Sequence, residues 1–250
     1  MSEIISADQQ HIQFNTGSCA GPVAVFSRKL DGNMSLHHGD TGASLEHRKT
    51  FLEAYGIDYR QLVCAQQVHA SGVYRAQAQD RGRGAMEYAT ACPATDSFIT
   101  GEKNIPLAIF TADCLPVFLY APQYPCIGLV HAGWRSTAAG IVAKTLACMR
   151  EAFGVTAQQV YAGFGPAIRQ CCYEVGAQFR DTFPGQVSER QGRLFFDLVA
   201  ANTAQLLAAG VRREFISDCG ICTGCRCRDY FSHRRQPLPG GRMLSVMMLR

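Results

Sequence analysis

The chain has 250 residues, 47% of them hydrophobic and 18% charged, with a formal net charge of +4. Low charge with ample apolar content excludes intrinsic disorder, and so small a basic excess is too weak for a dedicated nucleic-acid binder. A chain of this length buries enough surface to fold without staples, so one domain over residues 1–250 is expected.

In chain order, residues 1–20 read as a polar leader lying over the fold, and MSEIISADQQ, with no basic flank or apolar core, predicts no signal peptide. Pro22–Ser27 reads as a strand and Asp31-Gly32-Asn33 as a turn. Glu46–Tyr55 has helical spacing, with Phe51, Leu52 and Tyr55 on one side. Short apolar runs follow at Gln61–Val68, Ser97–Thr100, Pro106–Phe110, Leu115–Tyr120 and Cys126–Val130, each bounded as buried strands are. Ser136/Thr137 opens a helix to about Ala152, stopped by Gly154. A strand at Val160–Gly163, an Asp197-capped helix over Leu198–Ala209 and strands at Glu214–Ser217 and Met243–Leu249 complete the set. Strands outnumber helices and do not alternate with them, which disfavours a doubly wound fold and predicts α+β. The longest apolar stretch, Ile105 to Pro122, is interrupted by Thr111, Asp113 and two prolines, so no transmembrane helix and no membrane partner are expected.

Twelve cysteines without an export signal read as reduced thiols and a cytoplasmic address. Four of them, Cys219, Cys222, Cys225 and Cys227, spell CxxCxxCxC, which is either an incomplete metal knot or a set of incidental thiols. Adjacent Cys171 and Cys172 are poor disulfide partners, which favours packing. The basic residues are 20 Arg against 4 Lys. That skew suits bidentate capture of phosphate or carboxylate, or reflects codon usage and a solvated face.

Three residues occupy comparable positions. His69 follows the run ending at Val68, Cys114 follows the turn Thr111-Ala112-Asp113, and His131 follows Ile127–Val130. If these strand ends meet at one sheet edge, two imidazoles and a thiolate make a three-ligand set with a free fourth position, the composition of a catalytic zinc site. The alternative is that each is separately buried or held in a turn, because separations of 45 and 17 residues are no metal signature by themselves. Arg234-Arg235 supplies one candidate anion seat. Trp134 either stacks on a base or packs behind His131, and His11, His37, His38, His47 and His233 read as surface or turn residues.

In wording the chain resembles the YfiH/YlmD-like family, variously called polyphenol oxidase (laccase-like) proteins and multifunctional purine nucleoside enzymes. The resemblance rests on QVH at 67–69, TADCLPV at 111–117, HAGWR at 131–135, CCYEVG at 171–176, CT at 222–223, Phe231-Ser232 with Arg234-Arg235, and GRM at 241–243. It implies a layered sandwich of mixed sheets with flanking helices. It also implies a metal held by His69, Cys114 and His131, zinc or copper, with Asp113 beside the thiolate as a proton relay. Arg28, Asn33 and Arg135, with Arg234, become candidates for binding substrate. Departures at Ala70, Ser136, Ala167, Arg169, Gln170 and His233 touch the pocket wall and leave the ligand set intact.

The activity implied is phosphorolysis of adenosine, inosine and methylthioadenosine and deamination of adenosine, with purine nucleosides and phosphate as the small-molecule partners. The alternatives are copper-dependent phenol oxidation, a Cys114-dependent amidase editing peptidoglycan precursors, and a non-catalytic metal sensor. Seven histidines with no HxH pair argue against a trinuclear copper cluster.

Overall fold

A computed structural model describes residues 10–14, 21–236 and 240–250. The first half runs β1 (Val23–Phe26), α1 (Thr41–Glu53), β2 (Val63–Cys64), β3 (Val73–Arg75), β4 (Ser97–Thr100), β5 (Leu107–Thr111), β6 (Leu115–Ala121) and β7 (Cys126–Ala132). It continues with α2 (Trp134–Ala138), α3 (Ile141–Phe153), β8 (Tyr161–Phe164), β9 (Glu174–Val175), α4 (Phe179–Thr182), β10 (Val187–Arg190) and β11 (Arg193–Phe196). Then come α5 (Leu198–Ala209), β12 (Ile216–Asp218) and β13 (Met243–Met248). A four-stranded sheet has the order β1-β13-β5-β2, and a six-stranded sheet the order β12-β8-β6-β7-β4-β3. Both mix parallel and antiparallel pairs.

Each central strand is buried on both faces, and alternation divides its side chains between two cores. On β6, Val117 and Leu119 pack with Ile141, Met149 and Phe164 under the helices, while Phe118 turns toward Ile109, Leu129 and Met247 between the two sheets. On β13, Leu244 and Val246 join Leu52 of α1 on the outer face of the smaller sheet. The layers are therefore α1, four-stranded sheet, six-stranded sheet, then α3 and α5, which is an α+β sandwich of mixed sheets. No helix of the described residues is long and apolar enough to cross a membrane.

Several expected elements differ, each for a local reason. The single helix from Ser136 is two, because Gly140 adopts the left-handed conformation (φ 73°) and a right-handed helix cannot continue through it. Of the expected strand Gln61–Val68, Val63–Cys64 pairs with β5, and a single bridge joins Ala65 to Cys92. Beyond it the backbone N–H groups of Val68, His69 and Ala70 bond to the Asp96 carboxylate instead of to a strand. The Gln67 side-chain amide meanwhile pairs with both backbone groups of Phe110. The β10–β11 hairpin was not foreseen, since its turn uses Gln191-Gly192, both at positive φ, rather than the Asn-Gly that marks such turns. Of the expected leader, residues 10–14 are described: Ile12 is buried and its N–H bonds to Ala24. Residues 1–9 and 15–20 lie outside the described set.

Candidate metal centre

β5 belongs to the smaller sheet and β6 to the larger, and only Ala112, Asp113 and Cys114 separate them. So short a crossing requires a sharp reversal, supplied by Asp113 at φ 88°. A non-glycine residue holds such a conformation only when its surroundings fix it. Here the carboxylate accepts the Thr223 hydroxyl at 2.6 Å and the Arg234 backbone N–H at 2.7 Å. Ile168 N–H bonds to the Asp113 carbonyl at 2.9 Å. Cys114 is thereby presented where the two sheets diverge.

His131 comes from inside β7, opposite Pro116 of β6, and is 2% exposed. Its Nδ1–H donates to Asp96 at 2.9 Å, which leaves Nε2 free as a ligand. The same carboxylate accepts the N–H groups of Val68, His69 and Ala70, so it also fixes the loop that carries His69 (φ 58°). The two imidazoles stand edge-on with centroids 4.8 Å apart, and His69 Nε2 lies 3.8 Å from Cys114 Sγ. One ligand atom each from His69, Cys114 and His131 falls within 4.8 Å of the others. The ligands thus come from β7 of the larger sheet and from two connections that cross between the sheets, β2 to β3 for His69 and β5 to β6 for Cys114, not from one sheet edge.

The space around these donors fits a cation. A Cβ on Gly133 would lie 3.0 Å from Cys114 Sγ and 3.1 Å from His69 Cδ2, so a side chain there would press on two of the three ligands. Burial pushes the Cys114 thiol up, but the charge and hydrogen bonds of His131 and His69 more than offset this and hold it below the usual thiol range. Burial lowers His131, and the Cys114 thiolate and Asp96 outweigh it in the raising direction. The set is pre-formed for a positive charge between a thiolate and two oriented rings.

The centre forms the floor of a cavity of about 510 Å³. Of the four substrate-binding candidates, Arg135 and Arg234 line it, whereas Arg28 and Asn33 do not. Asn33 instead braces its loop through Ser35, His38 and Ser44, and its Oδ1 accepts the backbone N–H of Arg242. Arg242 does line the cavity, as do Tyr173, His37, His38 and His233. These three histidines are therefore wall residues rather than merely turn residues. Trp134 packs against Phe179 with centroids 5.1 Å apart, and the Arg135 guanidinium lies 4.4 Å from its ring centroid.

Sequence reasoning missed Asp96, Thr223 as a partner, Arg242 and Tyr173 as wall residues. Thr223, Tyr173 and Arg242 stand inside the CT, CCYEVG and GRM motifs, whereas nothing near Asp96 distinguishes it from any polar residue before a strand. The cysteine grouping also differs. Cys222 and Cys225 lie with Cys171 and Cys172, while Cys219 and Cys227 stay outside that group.

Fold and centre together define a class: an α+β sandwich with a two-histidine, one-cysteine centre open to a small-molecule cavity. The chain belongs to the family described as multi-copper polyphenol oxidoreductase laccase, whose model matches residues 21–250. It is 35% identical to purine nucleoside phosphorylase YlmD of Geobacillus stearothermophilus, over 91% of this chain and 90% of that protein. It is 32% identical to adenosine deaminase RL5 from an unknown prokaryotic organism, over 79% of each. The crystal structure of YlmD from G. stearothermophilus superposes with a TM-score of 0.89 at 34% identity, covering 97% of this chain and 98% of that one. These relatives are enzymes by name, and the chain is a member of their family.

Proposed function

We propose that the protein is a metal-dependent purine nucleoside enzyme, cleaving adenosine, inosine and methylthioadenosine with phosphate and deaminating adenosine. The observation that carries this reading is the convergence of His69, Cys114 and His131 on the floor of an arginine-lined cavity whose volume suits a nucleoside. The names of the relatives supply the substrate class.

His69, Cys114 and His131 would hold the metal, and we assign zinc. Copper suits the same donors, but among the described residues the grouped ligand sets are this one and a cluster of thiols, with no second histidine set for a multi-copper site. A cation in such a set supplies Lewis acidity and makes water acidic enough to act as a nucleophile near neutral pH. Arg135, Arg234 and Arg242 offer guanidinium groups to the phosphate, and Trp134 and Tyr173 offer ring surfaces to the base. Asp113 receives a positioning role in place of the proton relay expected from the sequence, because Thr223 and Arg234 already occupy its two oxygens. The free thiols favour a reducing compartment, and we place the protein in the cytoplasm.

The test is incubation of metal-quantified protein with adenosine, with and without phosphate, followed by chromatographic separation of products. Adenine and ribose 1-phosphate formed only with phosphate, or inosine in either case, supports the reading. No turnover with a full equivalent of zinc bound at His69 refutes it.

One observation favours a second reading. Cys114, His131 and Asp96 also have the order of a nucleophile, its base and the carboxylate orienting that base. An amidase of that kind would be active without metal and inhibited by zinc, so chelation raises its activity where it abolishes that of the metal enzyme.

A further inference from the structure

A second group of soft ligands lies behind the cavity wall. Cys171 and Cys172 sit on the turn before β9, and Cys222 and Cys225 on the loop after β12. Hydrogen bonds and a parallel bridge between Ala167 and the Ile221–Thr223 segment hold the two stretches side by side. Their four sulfurs fall within 4.8 Å of one another. Cys171 Sγ is 3.4 Å from Cys222 and 3.5 Å from Cys225, and Cys172 Sγ is 3.4 Å from Cys225.

We propose that these four thiolates bind a structural zinc ion, separate from the His69–Cys114–His131 centre. Zinc bonds sulfur at about 2.3 Å, which for a tetrahedron separates the sulfurs by about 3.8 Å, close to the contacts seen here. The contacts run in a chain from Cys222 to Cys171, Cys225 and Cys172. Cys171 and Cys225 each have two neighbours, the pattern of a shared centre rather than of two bonded pairs.

Three surrounding features fit that ion. A Cβ on Gly224 would lie 2.8 Å from Cys172 Cβ and 3.1 Å from its sulfur, so glycine lets the loop close against the pair. Cys225 N–H points to Cys222 Sγ at 3.4 Å, a donor suited to a thiolate. Arg235 Nη2 lies 3.5 Å from Cys172 Sγ, and its Nε donates to the Gly224 carbonyl. That cation offsets part of the two negative charges that four thiolates and one zinc leave over.

The position gives the ion a purpose. Tyr173, next to Cys172, lines the cavity, and Thr223, next to Cys222, holds the Asp113 turn. Arg234, whose N–H bonds to Asp113, precedes Arg235. One ion would therefore clamp two segments that shape the wall, and Arg235 ties the third to them.

The experiment counts zinc in protein grown with zinc and purified without chelator, alongside intact mass under non-reducing, denaturing conditions. Two zinc ions per chain are expected in the wild type and one in the His69→Ala/Cys114→Ser variant, which keeps all four thiols. Cys222→Ser should likewise lose one ion and keep the other. No zinc in the His69→Ala/Cys114→Ser variant overturns the proposal without bearing on the catalytic reading. A wild-type mass low by two hydrogens per disulfide, located by digestion to these four cysteines, also overturns it.

Discussion

Asp96 Oδ1 lies 2.9 Å from His131 Nδ1, and the same buried carboxylate takes the N–H groups of the loop that carries His69. One side chain thus orients the His131 imidazole and fixes the backbone that carries His69, although it touches neither ligand nitrogen. Asp96→Asn keeps the shape but removes the charge that favours a donating Nδ1–H. Outer partners of this kind change metal affinity by about 10- to 100-fold. A fall of that size is expected in competition with a chromophoric chelator, and an unchanged affinity would mean that the ring is held by packing alone.

Gly133→Ala tests the crowding at the centre. Its methyl would meet Cys114 Sγ at 3.0 Å and His69 Cδ2 at 3.1 Å, while the backbone of Gly133 (φ −81°) accepts alanine without strain. The variant should fold with unchanged circular dichroism and lose zinc from this centre. Retained zinc with full turnover would show that the ligands can part without consequence.

Thr223→Val removes the hydroxyl that fixes the Asp113 turn and keeps the side chain's volume. The loss of a hydrogen bond to a charged acceptor should destabilise the fold by about 1.5–3 kcal/mol. Displacement of Cys114 should lower kcat/KM by up to about 100-fold. Denaturant unfolding and steady-state kinetics check the two effects separately, with His69-centre zinc expected to stay bound.

Arg242→Gln bears on the anion seat. Arg242 lines the cavity, and its N–H is tied to Asn33, so its placement is fixed from both ends of the chain. In the proposed phosphorolysis the KM for phosphate should rise at least several-fold, while deamination of adenosine, which needs no phosphate, should keep its rate. Equal losses in both reactions would assign Arg242 to the nucleoside instead.

Burial alone raises the Cys126 thiol from 9.0 to about 12. The folded state then holds a proton that the unfolded state releases above about pH 9, so this stabilisation is complete below that pH and is lost as pH rises toward 12. Stability should fall across the interval by up to about 1.4 kcal/mol per pH unit for this thiol. Cys126→Ala should flatten the slope in denaturant unfolding at pH 8.5, 9.5 and 10.5. Cys64, raised to about 11 chiefly by burial, contributes a similar slope over a narrower window and serves as the comparison.

Much of the fold was legible because its strands are short apolar runs with clear punctuation. β4 matches its expected bounds, β5, β6 and β7 lie within a residue or two of theirs, and α5 has its Asp197 cap and Gly210 stop as expected. The β9–β11 sheet was not legible. Its pairing depends on partners 19 and 21 residues apart, Val175 with Leu194 and Glu174 with Phe195, and on a turn without the usual signature.

At the site, the sequence by itself determined the chemical inventory: two imidazoles, a thiolate and an excess of arginine. Residue type sets ligand chemistry, and that needs no coordinates. Only the tertiary structure decided which groups meet. Asp96 reaches His131 across 35 residues, Thr223 reaches Asp113 across 110, and Cys171 reaches Cys222 across 51. The pairing of two cysteine-bearing loops, and the exclusion of Arg28 and Asn33 from the cavity wall, are likewise products of strand order and register. The reason is physical: contacts at such separations are selected by the packing of two sheets against each other, which no local window of sequence encodes.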